Sequence, residues 1–414
     1  MGYVSYFIAK GDFIMSFTFN RGQVNVINAA VDCIRKGKQQ VFQYTGNPGT
    51  GKSVVLGEII RNLNLRSDEI LPMAYTGTAA NVMRRKGLHN ACTICSGLYE
   101  PVETPLIRDG KVVMNTYLNK PVTTIKFVPK QIDPKIRLMV FDEASMIPFH
   151  MKQEIESRGL PIIATGDIDQ LPPIDDTPAY LTSGEVMVLD EIMRQALDSP
   201  IIYLSQRAKH GLPIHCGFYG NDVLVIDRED VTPDMYLNSQ IVLCGKNKTR
   251  DVLNSEIRQL KGFSGMLPQH GEKVVCRKNN NTIVSDGIML SNGTIGYVLN
   301  APDVSGLYRD KTFELDFMPF MSRLPFMALQ ADFKYFTADY ETKKFIKNDK
   351  YSTGEKFELA NAITVHLSQG SQYDNGIYYE EYLHKDIQKR LNYTAITRFA
   401  KNMIYVKQPI KKYF

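Results

Sequence analysis

The octapeptide Gly46-Asn47-Pro48-Gly49-Thr50-Gly51-Lys52-Ser53 constrains this chain more than any other stretch, because it fits G-x-x-x-x-G-K-[ST], a phosphate-binding loop. Its glycines let successive backbone N–H groups turn toward one anionic group, and the N-terminus of a following helix adds positive potential. The flanks supply the context this needs. Val41-Phe42-Gln43-Tyr44 reads as a buried strand, and Val54, Val55, Leu56, Ile59, Ile60 and Leu63 recur at helical spacing behind the loop. Residues 46–53 are therefore expected to hold a nucleotide. Lys52 would reach the β- and γ-phosphates, and the Ser53 hydroxyl would ligand Mg²⁺.

A chain of 414 residues has room for two or three domains with real cores. Its 43% hydrophobic and 22% charged content is that of an ordinary globular protein. No apolar run approaches the ~18 residues of a membrane span, and neither a myristoylation pattern nor a secretory leader opens the chain. Met15 is a second plausible start, so residues 1–14 are expected to be a dispensable extension. Of the six cysteines only Cys92 and Cys95 form a C-x-x-C, with no second pair to complete a zinc site. Reduced thiols in a cytoplasm follow. A net charge of +5 permits nucleic-acid binding without demanding it.

Strand-like Arg137-Leu138-Met139-Val140-Phe141 ends in Asp142-Glu143. In a parallel sheet such a pair lies at the carboxyl edge, beside the phosphate loop. Asp142 would hold Mg²⁺ through water, and Glu143 would orient or deprotonate the attacking water. A further strand at 160–164 runs into Gly166-Asp167-Ile168-Asp169-Gln170-Leu171-Pro172-Pro173, where Gln170 can hydrogen-bond a γ-phosphate. Gln23 lies upstream of the loop, and its amide could read an adenine edge; taken alone it is a surface residue. Met73 to Ala80 is a strand, a small-residue turn and a helix start, through Thr76 and Thr78. Such a turn can let nucleic acid lie against amides and hydroxyls, or be an ordinary connection. Arg84-Arg85-Lys86 reads as a solvated helix face, and His366 alone as a structural histidine. Leu106 to Val113 reads as a hairpin, with Asp109-Gly110 as a two-residue type I′ turn.

In this order the stretches resemble a superfamily-1B DNA helicase of the RecD/Dda-like, 5′-to-3′ branch. Gln23 matches its Q motif, 46–53 motif I, 74–80 motif Ia, 93–98 its Thr-Ile-His segment, Asp142-Glu143 motif II and 166–174 motif III. Arg194 matches the motif IV arginine, 364–371 motif V, and Tyr393 to Arg398 motif VI. Tyr75, Cys95 and Leu367 depart from the branch's Pro, His and Lys, and Gln372 stands where Glu is common.

The resemblance implies an α/β fold of two RecA-like P-loop NTPase domains, with a small β-hairpin insert in the first and an SH3-like β insert in the second. Its boundaries would be 1–98 with 136–188 for the first domain and 99–135 for the hairpin. The second domain would take 189–260 with 351–414, and its insert 261–350. Arg194 and Arg398 would meet the γ-phosphate from the second domain, and Gly370 would touch nucleotide. Thr76, Thr78, Thr93, Thr364 and His366 would contact DNA, and Asp109 and Gly110 would tip a strand-separating pin.

The implied activity is ATP- and Mg²⁺-dependent DNA unwinding by a monomer. Its partners would be single-stranded and forked duplex DNA, with replication or recombination proteins beyond them, and no membrane. The alternative is a single-stranded-DNA-dependent ATPase that displaces proteins without efficient unwinding. RNA is left open by the residues.

Overall fold

The structure is a computed structural model that describes residues 5–10, 13–37, 40–105, 107–108, 111–112, 114–115, 120–121, 123–174, 176–193, 198–285, 288–300, 312–320, 322–347 and 354–408. The unbroken apolar run Leu138–Phe141 has no polar face to offer water, so it must be covered on both sides. It lies inside a six-stranded sheet whose pairings are all parallel. The strand order is Val186–Leu189, Val41–Gly46, Ile162–Gly166, Leu138–Phe141, Ile70–Ala74, Cys92–Thr93. Side chains alternate as strand geometry requires. Leu138 and Val140 pack with Val26, Val55 and Ile59 of the helices Arg21–Lys36 and Lys52–Leu63. Met139 and Phe141 pack oppositely, with Ile155 and Tyr180. Because the strands are parallel, the loops leaving Gly46, Phe141 and Gly166 all emerge at one edge.

A second six-stranded sheet runs Gly217–Tyr219, Val223–Asp227, Phe399–Lys407, Tyr373–Tyr379, Ile241–Cys244, Ala362–Thr364. It is parallel except for its first pair. These two α/β sheets are the RecA-like pair that the motifs imply. Where a β insert was expected stands a five-stranded antiparallel sheet, in the order Phe326–Asp332, Thr312–Pro319, Ile295–Val298, Lys273–Cys276, Phe357–Leu359. Its last strand lies past the expected boundary at 350. Only Ala360 and Asn361, both buried, separate that strand from Ala362–Thr364 of the second sheet. Across this junction Arg250, on the helix Asn247–Leu260, sits 3.2 Å from the buried Glu358 carboxylate, and Arg277 lies 3.4 Å from the same oxygen.

The hairpin expected at 106–113 belongs to something longer. Ile107–Arg108 pairs with Lys111–Val112, beyond a ribbon in which Tyr99–Pro105 pairs antiparallel with Thr123–Pro129. Prolines at 101, 105, 121 and 129 hide these arms from a propensity reading, but a two-stranded ribbon is all edge and tolerates them. Arg108 is paired with Lys111, and Asp109 and Gly110 lie outside the described residues. Ser5–Lys10, in the stretch expected to be dispensable, pairs antiparallel with Phe13–Thr18, which runs past its end at residue 14. Among the described residues no helix is long and apolar enough to cross a membrane.

Candidate active site

The phosphate loop turns through left-handed glycines, Gly49 and Gly51, both at φ +82°. At Gly51 a second reason excludes a side chain, since a Cβ there would fall 2.6 Å from Gln23 Nε2. Lys52 opens the helix Lys52–Leu63, and its ammonium donates to the Gly46 carbonyl at 2.6 Å and the Asn47 carbonyl at 3.2 Å. The buried Thr50 donates through Oγ1 to the Asn47 carbonyl. Tyr44, from the strand below, donates to the Lys52 carbonyl at 3.0 Å.

Gln23 is placed differently from an adenine reader. It is wholly buried, and its Oε1 accepts from the Asn20 N–H at 3.0 Å in a capping box. Its Nε2 donates to the Thr50 carbonyl at 2.9 Å and meets Met193 Sδ at 3.1 Å. Both ends of the amide are engaged inside the protein, so Gln23 acts as a brace beneath the loop. Met193 completes that brace, donating its N–H to the Gly49 carbonyl at 2.9 Å. Arg194, the next residue, lies outside the described residues.

Asp142 and Glu143 leave the carboxyl end of Leu138–Phe141. Glu143 adopts φ +52°, a left-handed conformation rare for a residue with a side chain, and its N–H is held by Asp142 Oδ1 at 2.9 Å. This turn carries the Glu143 carboxylate into the cleft, where Oε2 is buried without a hydrogen-bond partner in the protein. Burial raises the Glu143 pKa, against the pull of Arg398 and Lys52 and with the push of Asp142 and Asp167.

Asp167 and Gln170, at the end of Ile162–Gly166, receive the second domain. Gln170 Oε1 accepts from Arg398 Nη2 at 3.0 Å. Arg398 is buried, and it is oriented by the Ser371 and Thr394 carbonyls, each 3.3 Å away. Tyr393 donates to Asp167 Oδ2 at 2.6 Å. The Thr394 hydroxyl accepts from the Leu171 N–H at 2.9 Å, and Gln369 Nε2 donates to the Leu171 carbonyl at 2.9 Å. Lys52, Ser53, Asp142, Glu143, Gln170, Gly370, Gln372 and Arg398 thus line one cleft of about 460 Å³ between the two sheets. Sequence reasoning missed Lys86, whose ammonium donates to Ser53 Oγ at 2.8 Å. It sits in a run of three basic residues at the end of the helix Gly77–Arg85, which looks like a solvated face until the fold brings that end to the loop.

The comparisons with known proteins agree with this geometry. Residues 18–223 match the AAA domain family. Over 172 residues, 37% of this chain, it is 30% identical to the ATP-dependent DNA helicase PIF1 of Emericella nidulans, covering 20% of that protein. It is 29% identical over 164 residues to the ATP-dependent DNA helicase RRM3 of Saccharomyces cerevisiae, covering 35% of this chain and 20% of that one. The chain therefore spans about a fifth of the length of these curated relatives. Among solved structures, Bacteroides Pif1 helicase in complex with ADP-AlF3 and ssDNA superposes with a TM-score of 0.54 at 16% identity, over 93% of this chain and 92% of that one. Over its first half the chain is thus similar to Pif1-type ATP-dependent DNA helicases, and its fold is that of the solved Pif1 structure.

The threonines expected at DNA have local roles in the fold. Thr76, Thr93 and Thr364 are the N-caps of Gly77–Arg85, Ile94–Leu98 and Val365–Ser368, each Oγ1 accepting a backbone N–H. At Thr76 and Thr364 the capping hydroxyl keeps its own proton to donate, whereas Thr93 Oγ1 also lies 2.9 Å from Ser96 Oγ. Gly370 sits at φ +77°, where a Cβ would fall 2.8 Å from the Ala79 Cβ and 3.1 Å from Thr76 Oγ1, so the second domain seats directly on the capped turn. Thr78 meets the insert instead, since a Cβ on Gly293 would fall 3.1 Å from its Oγ1. His366 is half-buried, and burial lowers its pKa, favouring the neutral ring.

Proposed function

We propose that this chain is an ATP-dependent motor that moves 5′-to-3′ along single-stranded DNA and unwinds duplex DNA in replication, recombination or repair. The observation that carries the proposal is the meeting of Lys52, Glu143 and Gln170 with Arg398, a guanidinium from the other domain, in one cleft. In this reading the loop amides and Lys52 bind the ATP phosphates, Glu143 takes the proton of the attacking water, and Arg398 faces the charge that develops on the γ-phosphate. Ser53 and Asp142 fit Mg²⁺ by donor chemistry. One hydroxyl and one carboxylate are hard oxygen ligands too few to cage an ion, and Mg²⁺ is commonly completed by phosphate and water oxygens. Among the described residues no cluster of three or more His, Cys, Asp or Glu could hold a metal by itself. The ion, when bound, supplies neutralisation of phosphate charge.

Closure on ATP and reopening after hydrolysis would change the spacing of the two domains along the bound strand. The capped turns at Thr76, Thr93 and Thr364 supply hydroxyls and helix-end amides that recognise backbone phosphate whatever the base, which suits a sequence-tolerant motor. The test is unwinding of tailed duplexes. The protein should open a duplex carrying a 5′ single-stranded tail and fail on one with only a 3′ tail. A Lys52→Ala variant should lose at least ~100-fold in DNA-stimulated ATP hydrolysis, as expected for loss of a charged phosphate donor. ATPase stimulated by single-stranded DNA without any strand separation would favour the protein-displacing alternative.

We further propose that the tip of the ribbon, Ile107–Arg108 against Lys111–Val112, is the wedge. Base-pair steps average about 1.4 kcal/mol of stacking, so a separating element must be held stiffly. The paired strands Tyr99–Pro105 and Thr123–Pro129 provide such a stem. Deleting residues 107–112 should spare DNA-stimulated ATP hydrolysis and lower forked-duplex unwinding several-fold. A folded deletion variant that unwinds at the parent rate would show that the tip only covers the first domain.

A further inference from the structure

We propose that Lys209 is a positioning residue for ATP hydrolysis, an inference that rests on the reading of the cleft given above. Lys209 lies in the last turn of the second-domain helix Pro200–His210, a place where lysine ordinarily points to solvent. Here its ammonium is turned across the cleft. It lies 2.6 Å from Asp169 Oδ2 and donates to Asn47 Oδ1 at 3.0 Å. Both charged side chains are less than a third exposed, 23% for Lys209 and 31% for Asp169, so water screens the pair only partly.

The two partners matter more than the pair itself. Asn47 is the second residue of the phosphate loop, and its backbone carbonyl is one of the two that hold the Lys52 ammonium. Asp169 immediately precedes Gln170, the residue that receives Arg398. One ammonium from the second domain thus holds both first-domain segments that must be in register when Arg398 arrives. Tyr393 lies alongside, with its hydroxyl 2.6 Å from Asp167 Oδ2 and 3.3 Å from Asn47 Oδ1. Its single proton serves Asp167, so the Asn47 amide oxygen depends on Lys209 for a strong donor. The groups assigned to holding the ATP phosphates, the loop amides with Lys52 and Ser53, belong to the first domain. Loss of Lys209 should therefore damage turnover more than binding.

Lys209→Met keeps the aliphatic stem and removes the ammonium. It is expected to lower kcat for DNA-stimulated ATP hydrolysis by roughly tenfold or more, the range for a hydrogen bond to a charged group. Affinity for a non-hydrolysable ATP analogue should stay within about threefold of the parent. Asp169→Asn should cost a similar factor, and the double variant should cost no more than either single change, because residues acting through one contact are not additive. Lys209→Ala gives a second substitution should the methionine perturb packing, with thermal unfolding checked for each. A parent-like kcat in either folded Lys209 variant would overturn the inference, as would multiplicative losses in the double variant or an affinity loss as large as the kcat loss. A parent chain that hydrolyses no ATP would overturn the proposed function first, and this inference with it.

Discussion

Arg398→Ala is expected to lower the turnover of DNA-stimulated ATP hydrolysis by about 10³-fold, the scale on which arginines that meet a transferring phosphoryl group act. ATP affinity should change far less. Arg398 reaches the cleft from the second domain, and it is held by the Ser371 and Thr394 carbonyls and by Gln170 Oε1. Those contacts fix the guanidinium plane in advance, so little reorganisation is left for the reaction itself. Arg398→Lys should recover little, because a single ammonium cannot span the three acceptors that the planar fork reaches. The measurement is kcat at saturating ATP and single-stranded DNA, beside the dissociation constant of a non-hydrolysable analogue. Equal losses in both would make Arg398 a ground-state ligand, and parent-like turnover would remove it from the chemistry.

Glu143→Gln is the second large effect, a fall of about 10²–10⁴-fold in turnover with nucleotide and DNA binding retained. The substitution preserves shape at a position whose left-handed backbone is already unusual. What it removes is the basic oxygen, Oε2, that stands buried and unbonded in the cleft. Because burial raises the Glu143 pKa, its base form is lost on acidification earlier than for an ordinary glutamate. Parent turnover should therefore climb as pH rises through that raised pKa and then level off. The glutamine variant should lack this limb. A variant that keeps the same acidic limb would assign it to another group, and one that no longer binds nucleotide would make Glu143 structural.

Much of this site can be read from sequence because its parts are local. A phosphate loop needs its glycines, its lysine and its helix within one short segment, and the carboxylates of residues 142 and 143 follow directly from an apolar strand. The parts that escaped reading are those whose partners are distant. Lys209 finds Asn47 across the cleft, 162 positions away in the chain, and Lys86 finds Ser53 33 positions away. Nothing in either segment distinguishes these lysines from solvated ones until the sheets are placed. Gln23 reads from sequence as a candidate adenine reader or, taken alone, a surface residue, and its burial beneath the loop could not be seen there because the capping box with Asn20 turns its amide inward. The ribbon below the hairpin was obscured by its prolines, which weaken a strand signal without preventing an isolated two-stranded pairing.

The two-residue joint at Ala360 and Asn361 bears on how the protein comes apart. The edge strand of the antiparallel insert and the edge strand of the second sheet are nearly continuous, and Arg250 and Glu358 are buried against each other across the junction. Melting the insert alone would strip Arg250 of Glu358, leaving it the neighbouring Asp251, and would break off the ordered chain two residues short of the second sheet. With so short a junction and contacts from Arg250 and Arg277 converging on Glu358, the insert and the second sheet are expected to unfold as one cooperative unit rather than as a domain with a detachable appendage.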